Sequence, residues 1–166
     1  MKEVRTYTLA SEIEEEVKKI RELFVENAMV CRMIEEGEEF DFLDSRGQSA
    51  IIHDIYTGLE KVFKKIANDL NGGIPPGEDW HYRLLHQMSL EIKGVRPAVV
   101  SKESYSLLKK LLAFRHLFRN IYGFELDKER VDELNITIQD KGDKIIKEII
   151  DFANLLRRRG ENEEGI

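Results

Sequence analysis

The chemistry of this chain is concentrated in one stretch, FRHLFRNIYGFELD, residues 114–127. Two guanidinium groups, Arg115 and Arg119, stand one helical turn apart, accompanied by the imidazole of His116, the amide of Asn120 and the phenol of Tyr122. A guanidinium grips phosphate oxygens through its planar fork of donors. An imidazole titrates near neutral pH and can exchange a proton there. An asparagine amide donates and accepts hydrogen bonds but cannot take up a proton in that range. At about 100° per residue on a helix, Phe114, Leu117, Phe118 and Ile121 fall on one side. Arg115, Arg119 and Tyr122 fall on the other, with His116 and Asn120 on their flank. The same pattern also suits an ordinary amphipathic helix whose arginines pair with carboxylates.

The surrounding charge is uneven. The whole chain has 166 residues and a net charge of −6. Residues 11–45 carry twelve acidic and four basic side chains, whereas residues 93–119 carry seven basic ones and a single acid, Glu103. Lys93, Arg96, Lys102, Lys109, Lys110, Arg115 and Arg119 make up that basic set. A local positive surface attracts phosphates even on an acidic protein, and a solvated basic helix has the same composition. Overall acidity argues against a bulk nucleic-acid coat.

The elements that must position these groups read as helices throughout. Ser11 with Glu14 makes a capping box, followed by Ile13, Val17, Ile20, Leu23, Phe24 and Met29 at helical spacing, so a first helix is expected over residues 12–34. EEGEEFDFLDSRG reads as an acidic loop docked by Phe40, Phe42 and Leu43. A second helix is expected over 48–70, with Ile51, Ile55, Leu59, Val62, Phe63 and Ile66 as its buried stripe, ended by Asn71-Gly72-Gly73. A third covers 80–92. VRPAVV is an extended connection and the one strand candidate. Ser101 caps a fourth helix over 102–122, which Gly123 closes. A last helix runs from Asp127 to about Arg159, with Gly142 a candidate kink or break. The expectation is an all-α, up-and-down antiparallel bundle of four to five helices, one domain over 1–160, with a mobile acidic tail over 161–166.

Other chemistries find little support. The single cysteine, Cys31, lies in an apolar stretch and reads as core, so no intrachain disulfide is possible. His53, His81 and His86 lack metal-ligand spacing and read as structural, Trp80-His81 as a plug between helices. GGIPPG lacks the Lys-Ser/Thr ending of a phosphate loop, and no cofactor is expected. The N-terminus has no apolar signal core and no run of about 18 apolar residues exists, which predicts a soluble, cytoplasmic protein.

At residues 115–122 the sequence resembles the HepT-like toxins of the HEPN superfamily, which carry Arg-x4-His-x-Tyr near the end of a long helix. Arg115, HLFR, Asn120, Ile121 and Tyr122 occupy that pattern. The likeness extends over residues 47–130 through IHDIYTGLEKVFKKIANDLNGGIPPGEDWH, LLHQM and RPAVV. It implies a homodimer with two motif helices facing across a cleft. It also implies metal-independent RNA cleavage, a type VII toxin–antitoxin system, and an MNT-type nucleotidyltransferase antitoxin that adds AMP to Tyr122. Such cleavage needs a base for the ribose 2′-OH and a cation for the phosphorane. Arg115 supplies the cation. Arg119, Lys109 and Lys110 are the expected RNA-phosphate contacts. The family's histidine is Asn120 here, a candidate to orient the 2′-OH or the scissile phosphate but a poor base, and His116 is the candidate replacement base. Asn120 also keeps open a second reading, a catalytically inactive HEPN module that binds RNA, nucleotide or the nucleotidyltransferase.

Overall fold

The computed structural model describes residues 2–38, 42–122 and 125–164. They form five helices: α1 (Lys2–Glu35), α2 (Phe42–Leu70), α3 (Trp80–Met88), α4 (Lys102–Asn120) and α5 (Lys128–Glu164). Contacts between them trace an antiparallel, all-α bundle. Between α1 and α2, Arg5 pairs with Asp69 at 3.1 Å and Glu16 with Lys61 at 3.7 Å. Against α5, Glu14 of α1 meets Arg157 at 2.6 Å, while Asn27 donates to the Asn135 carbonyl at 2.9 Å. Glu103 pairs with Lys144 where α4 and α5 run side by side.

The apolar stripes read from the sequence face inward. Ile13, Ile20, Ile55, Leu59, Phe63, Ile66, Phe114 and Ile149 are all essentially inaccessible to solvent. Each such side chain contributes roughly 1.5–3 kcal/mol relative to an exposed one. Met29 is the exception in its stripe and is exposed. Cys31 is buried, and its thiol donates to the Asn135 carbonyl at 3.3 Å.

Helix ends differ from expectation where a tertiary partner competes with a local signal. α1 begins at Lys2, not after Ser11. Leu9 and Ala10 are fully buried, so core packing carries the helix upstream through the apparent cap. Ser11 and Glu14 accept hydrogen bonds from Arg157 instead of closing a box. α2 begins at Phe42, inside the stretch read as a loop; Phe40 and the side chains of Phe42 and Leu43 lie outside the described set. α3 stops at Met88 because the Ile92 N–H donates to the Arg96 carbonyl at 2.9 Å, leaving the Met88 carbonyl for the Val99 N–H at 2.8 Å. α5 continues to Glu164, through the start of the stretch read as a tail.

Gly142 does not break α5, which is continuous across it. A Cβ there would lie 2.9 Å from the Phe24 ring of α1, so the glycine permits close approach of the two longest helices. Gly142→Val should lower stability by about 1–3 kcal/mol through overpacking, outweighing the gain in helix propensity. Thermal melting should show a drop of several degrees, on the scale of about 2–4 °C per kcal/mol; an unchanged melting temperature would contradict the contact.

Candidate functional site

α4 is started by Ser101, whose hydroxyl accepts from the Ser104 N–H at 3.2 Å. Leu107, Leu108, Leu111, Leu112 and Phe114 bury one face of the helix. That anchoring turns Arg115 toward α2, and its side chain is only 11% exposed. Arg115 Nε donates to Thr57 Oγ1 at 3.3 Å, and Nη2 lies 3.7 Å from Glu60 Oε1.

Glu60 is the hub of the site. Its side chain is 3% exposed, on the buried side of α2. Its Oε2 is 2.6 Å from His81 Nδ1 on α3, and Lys64 Nζ lies 3.9 Å from Oε1. A carboxylate so deeply buried is tolerable only because cations and hydrogen bonds surround it. The His81 ring stacks on Trp80 with centroids 3.6 Å apart, and Lys64 caps the Trp80 ring at 4.7 Å. Tyr56, one turn before Glu60, is fully buried and its hydroxyl makes no hydrogen bond among the described residues. Burial and then the Glu60 charge push the Tyr56 phenol well above its ordinary range, with Arg115 pulling partly back. Tyr56 therefore stays protonated and is a donor, not a base.

Of these groups, Arg115 and His81 open onto a cleft of about 540 Å³ between α4 and the start of α3. Arg115, His116, Arg119 and Asn120 line one wall, with His81 and Tyr82 on the other and Glu78 and Asp79 at the rim. The cleft is therefore bipolar, basic along α4 and acidic at the opposing rim. It is not uniformly positive.

Most of the residues singled out from sequence meet there, but not in the expected arrangement. α4 ends at Asn120 and Ile121 is extended (φ −121°, ψ 159°), so Tyr122 lies beyond the helix and does not share the Arg115 face as a helical residue. Tyr122 is 70% exposed, and its N–H donates to Glu125 Oε2 at 3.0 Å. Gly123, expected to close the helix, is outside the described residues. Asn120 Nδ2 donates to the His116 carbonyl at 2.6 Å, so the amide folds back on its own last turn. His116 and Arg119 are exposed on the cleft wall. Lys109 and Lys110 line a separate groove with Arg130 and Glu133, away from Arg115. Arg96, counted in the basic stretch, is buried.

Glu60, Thr57 and Tyr56 carried no signal as site residues, because each sits within an unremarkable amphipathic repeat. His81, read as a plug, does pack on Trp80 but also reaches the cleft. His53 stays on the α2–α4 seam, 5.3 Å from the Phe118 ring, and does not line the cleft. Among the described residues no cluster of three or more His, Cys, Asp or Glu is arranged around a metal position, and no described helix is long and apolar enough to cross a membrane.

A model of the family described as HepT-like protein matches residues 48–156, from early α2 to late α5. No curated protein and no solved structure matches the chain significantly. The match covers well over half the chain and includes Arg115, Asn120, Tyr122 and the residues that hold them, and the chain belongs to the HepT-like family of HEPN-type proteins.

Proposed function

We propose that this chain is a metal-independent RNA endonuclease of the toxin type, acting as a homodimer and restrained by a nucleotidyltransferase antitoxin. The observation that carries the reading is Arg115, a guanidinium held by Thr57 and Glu60 on the wall of a cleft that also contains imidazoles. Among the described contacts only its Nε and Nη2 are engaged, so further donors of the fork are available to a phosphate. Arg119 adds a second positive charge one turn on. In a homodimer each copy would contribute this pair, offsetting the Glu78 and Asp79 carboxylates that oppose them in a single cleft. His116 is the candidate base that the motif itself suggests. Tyr122, exposed just beyond α4, suits modification. AMP there would add a phosphate just past the end of α4, a negative charge that could compete with RNA for the arginines.

A second reading, a catalytically inactive module that binds RNA, nucleotide or the nucleotidyltransferase, is favoured by one observation. Asn120 stands where the family has histidine, and its Nδ2 donates to a carbonyl of its own helix. The test is cleavage of RNA by purified protein in EDTA, beside Asn120→His. Cleavage by wild type supports the nuclease. An inert wild type with activity appearing in Asn120→His means a silenced site, and the binding module is then the function.

A further inference from the structure

We propose that His81, oriented by Glu60, is the catalytic base of the Arg115 cleft. The assignment rests on the ribonuclease reading above and replaces His116 in it. Three observations carry it. His81 Nδ1 is 2.6 Å from Glu60 Oε2, so the ring nitrogen facing the buried carboxylate carries the proton as its donor. That leaves Nε2 as the acceptor, on a side chain 25% exposed that lines the cleft. The ring orientation is further set by stacking on Trp80 at 3.6 Å. An imidazole held in one tautomer by a buried carboxylate is the arrangement that makes histidine an effective base.

The same carboxylate ties the base to the cation. Glu60 presents Oε2 to His81 and Oε1 to Arg115, so imidazole and guanidinium are held side by side on one rigid anchor. His116, by contrast, is an exposed side chain with no described partner for its ring. The titratable and charged groups around His81 are Glu60 from α2, with Lys64 paired to it, Arg115, His116 and Arg119 from α4, and Glu78, Asp79 and Tyr82 beside it.

In the step, His81 Nε2 takes the 2′-OH proton and the 2′-oxygen bonds to phosphorus. The phosphorus–O5′ bond breaks, and the 5′-oxygen takes a proton from water. The products are a 2′,3′-cyclic phosphate and a free 5′-hydroxyl, and the imidazolium returns its proton to solvent. Glu60 is a positioning residue, since it touches His81 and Arg115 and not the reacting atoms.

The experiment is the pH–rate profile of cleavage of a short fluorescent RNA in EDTA, for wild type, His81→Gln, Glu60→Gln, His116→Gln and Arg115→Ala, with RNA binding by anisotropy. His86→Gln, outside the cleft, is the control. His81→Gln should slow cleavage about 100- to 10,000-fold with RNA affinity kept within about threefold, and should abolish the acidic limb of the profile. Glu60→Gln removes the carboxylate that fixes the ring, so the Nδ1-protonated tautomer of His81, read by long-range ¹H–¹⁵N NMR, should lose its dominance; a purely structural Glu60 would leave it in place. Cleavage by His81→Gln within threefold of wild type, or loss of the limb in His116→Gln instead, overturns the assignment while the nuclease stands. A wild type that does not cleave overturns both. Should His81→Gln fail to fold, the tautomer of His81 in wild type, read by long-range ¹H–¹⁵N NMR, decides. A proton on Nδ1 supports the proposal, and one on Nε2 overturns it.

Discussion

Arg115→Ala is expected to reduce RNA cleavage in EDTA by about 10²–10³-fold, the range typical for removing a charged group that stabilises a transition state. Among the described residues of the site, Arg115 is the one guanidinium that is both near-buried and fixed, at 11% exposure with Thr57 and Glu60 as partners. On the proposed nuclease reading, its fork would already be oriented when a phosphorane forms, with no ordering needed at that moment. Arg119, exposed on the same wall, lacks that preorganisation. Arg115→Lys keeps the charge as a single point and loses the paired donors, so it should recover only part of the rate. RNA binding should weaken and its salt dependence should fall by about one phosphate contact. Glu60 retains His81 and Lys64 as partners, so the variant should stay folded. Equal cleavage and equal RNA binding by wild type and Arg115→Ala would remove the cleft from the function altogether.

The largest effect on stability should come from a residue that touches no part of the cleft. Arg96 is 2% exposed and makes four hydrogen bonds. Nε donates to Asn71 Oδ1 at 2.9 Å, Nη1 to the Leu90 and Pro97 carbonyls at 3.1 and 3.0 Å, and Nη2 to the Gln87 carbonyl at 2.9 Å. Burial pushes its pKa below the ordinary guanidinium value, a sign of the desolvation that these acceptors offset. The side chain staples the end of α2 to the chain leaving α3 and satisfies a carbonyl in the last turn of α3. Arg96→Ala removes all four bonds, leaves carbonyls without donors and opens a cavity. The expected loss is on the order of 3–5 kcal/mol, or on the order of 10 °C in melting temperature. Arg96→Lys should restore only a fraction, since one ammonium cannot reach both sides of the staple. A melting temperature within about 2 °C of wild type in Arg96→Ala would contradict this account. Because α3 carries His81, a folded but loosened Arg96 variant should also cleave RNA more slowly.

Arg96 shows how composition misleads where burial decides. In the sequence it is one of seven basic residues in a stretch that reads as a phosphate-attracting surface. In the fold it faces inward, Lys109 and Lys110 belong to another groove, and only Arg115 and Arg119 of that set reach the cleft. Charge along a chain becomes a surface potential only after folding has chosen which charges meet solvent. Asn120 and Tyr122 make a related point. The wheel that joined Tyr122 to Arg115 assumed an unbroken helix, and the side-chain bond from Asn120 to the His116 carbonyl accompanies its end.

What the sequence by itself determined is what short-range physics records. Apolar residues at a spacing of 3.6 announced five helices, Ser101 announced the start of α4, and glycine and proline punctuation marked the connections. Arg115 and the polar cluster after it were visible because they are neighbours on one helix. Tertiary structure alone decided the rest. Ser11 and Glu14 became partners of Arg157 and not a cap, because the buried Leu9 and Ala10 extend α1 past them. Gly142 became a contact with Phe24 and not a break, because two long helices must approach closely there. Glu60, His81 and Arg115 became one site although they are far apart in the chain, since antiparallel packing of α2 and α4 with α3 laid across them brings one carboxylate between an imidazole and a guanidinium. Periodicity reports which face of a helix is buried, but which polar group on a neighbouring helix meets that face depends on register, and register is set by the packing of the whole core.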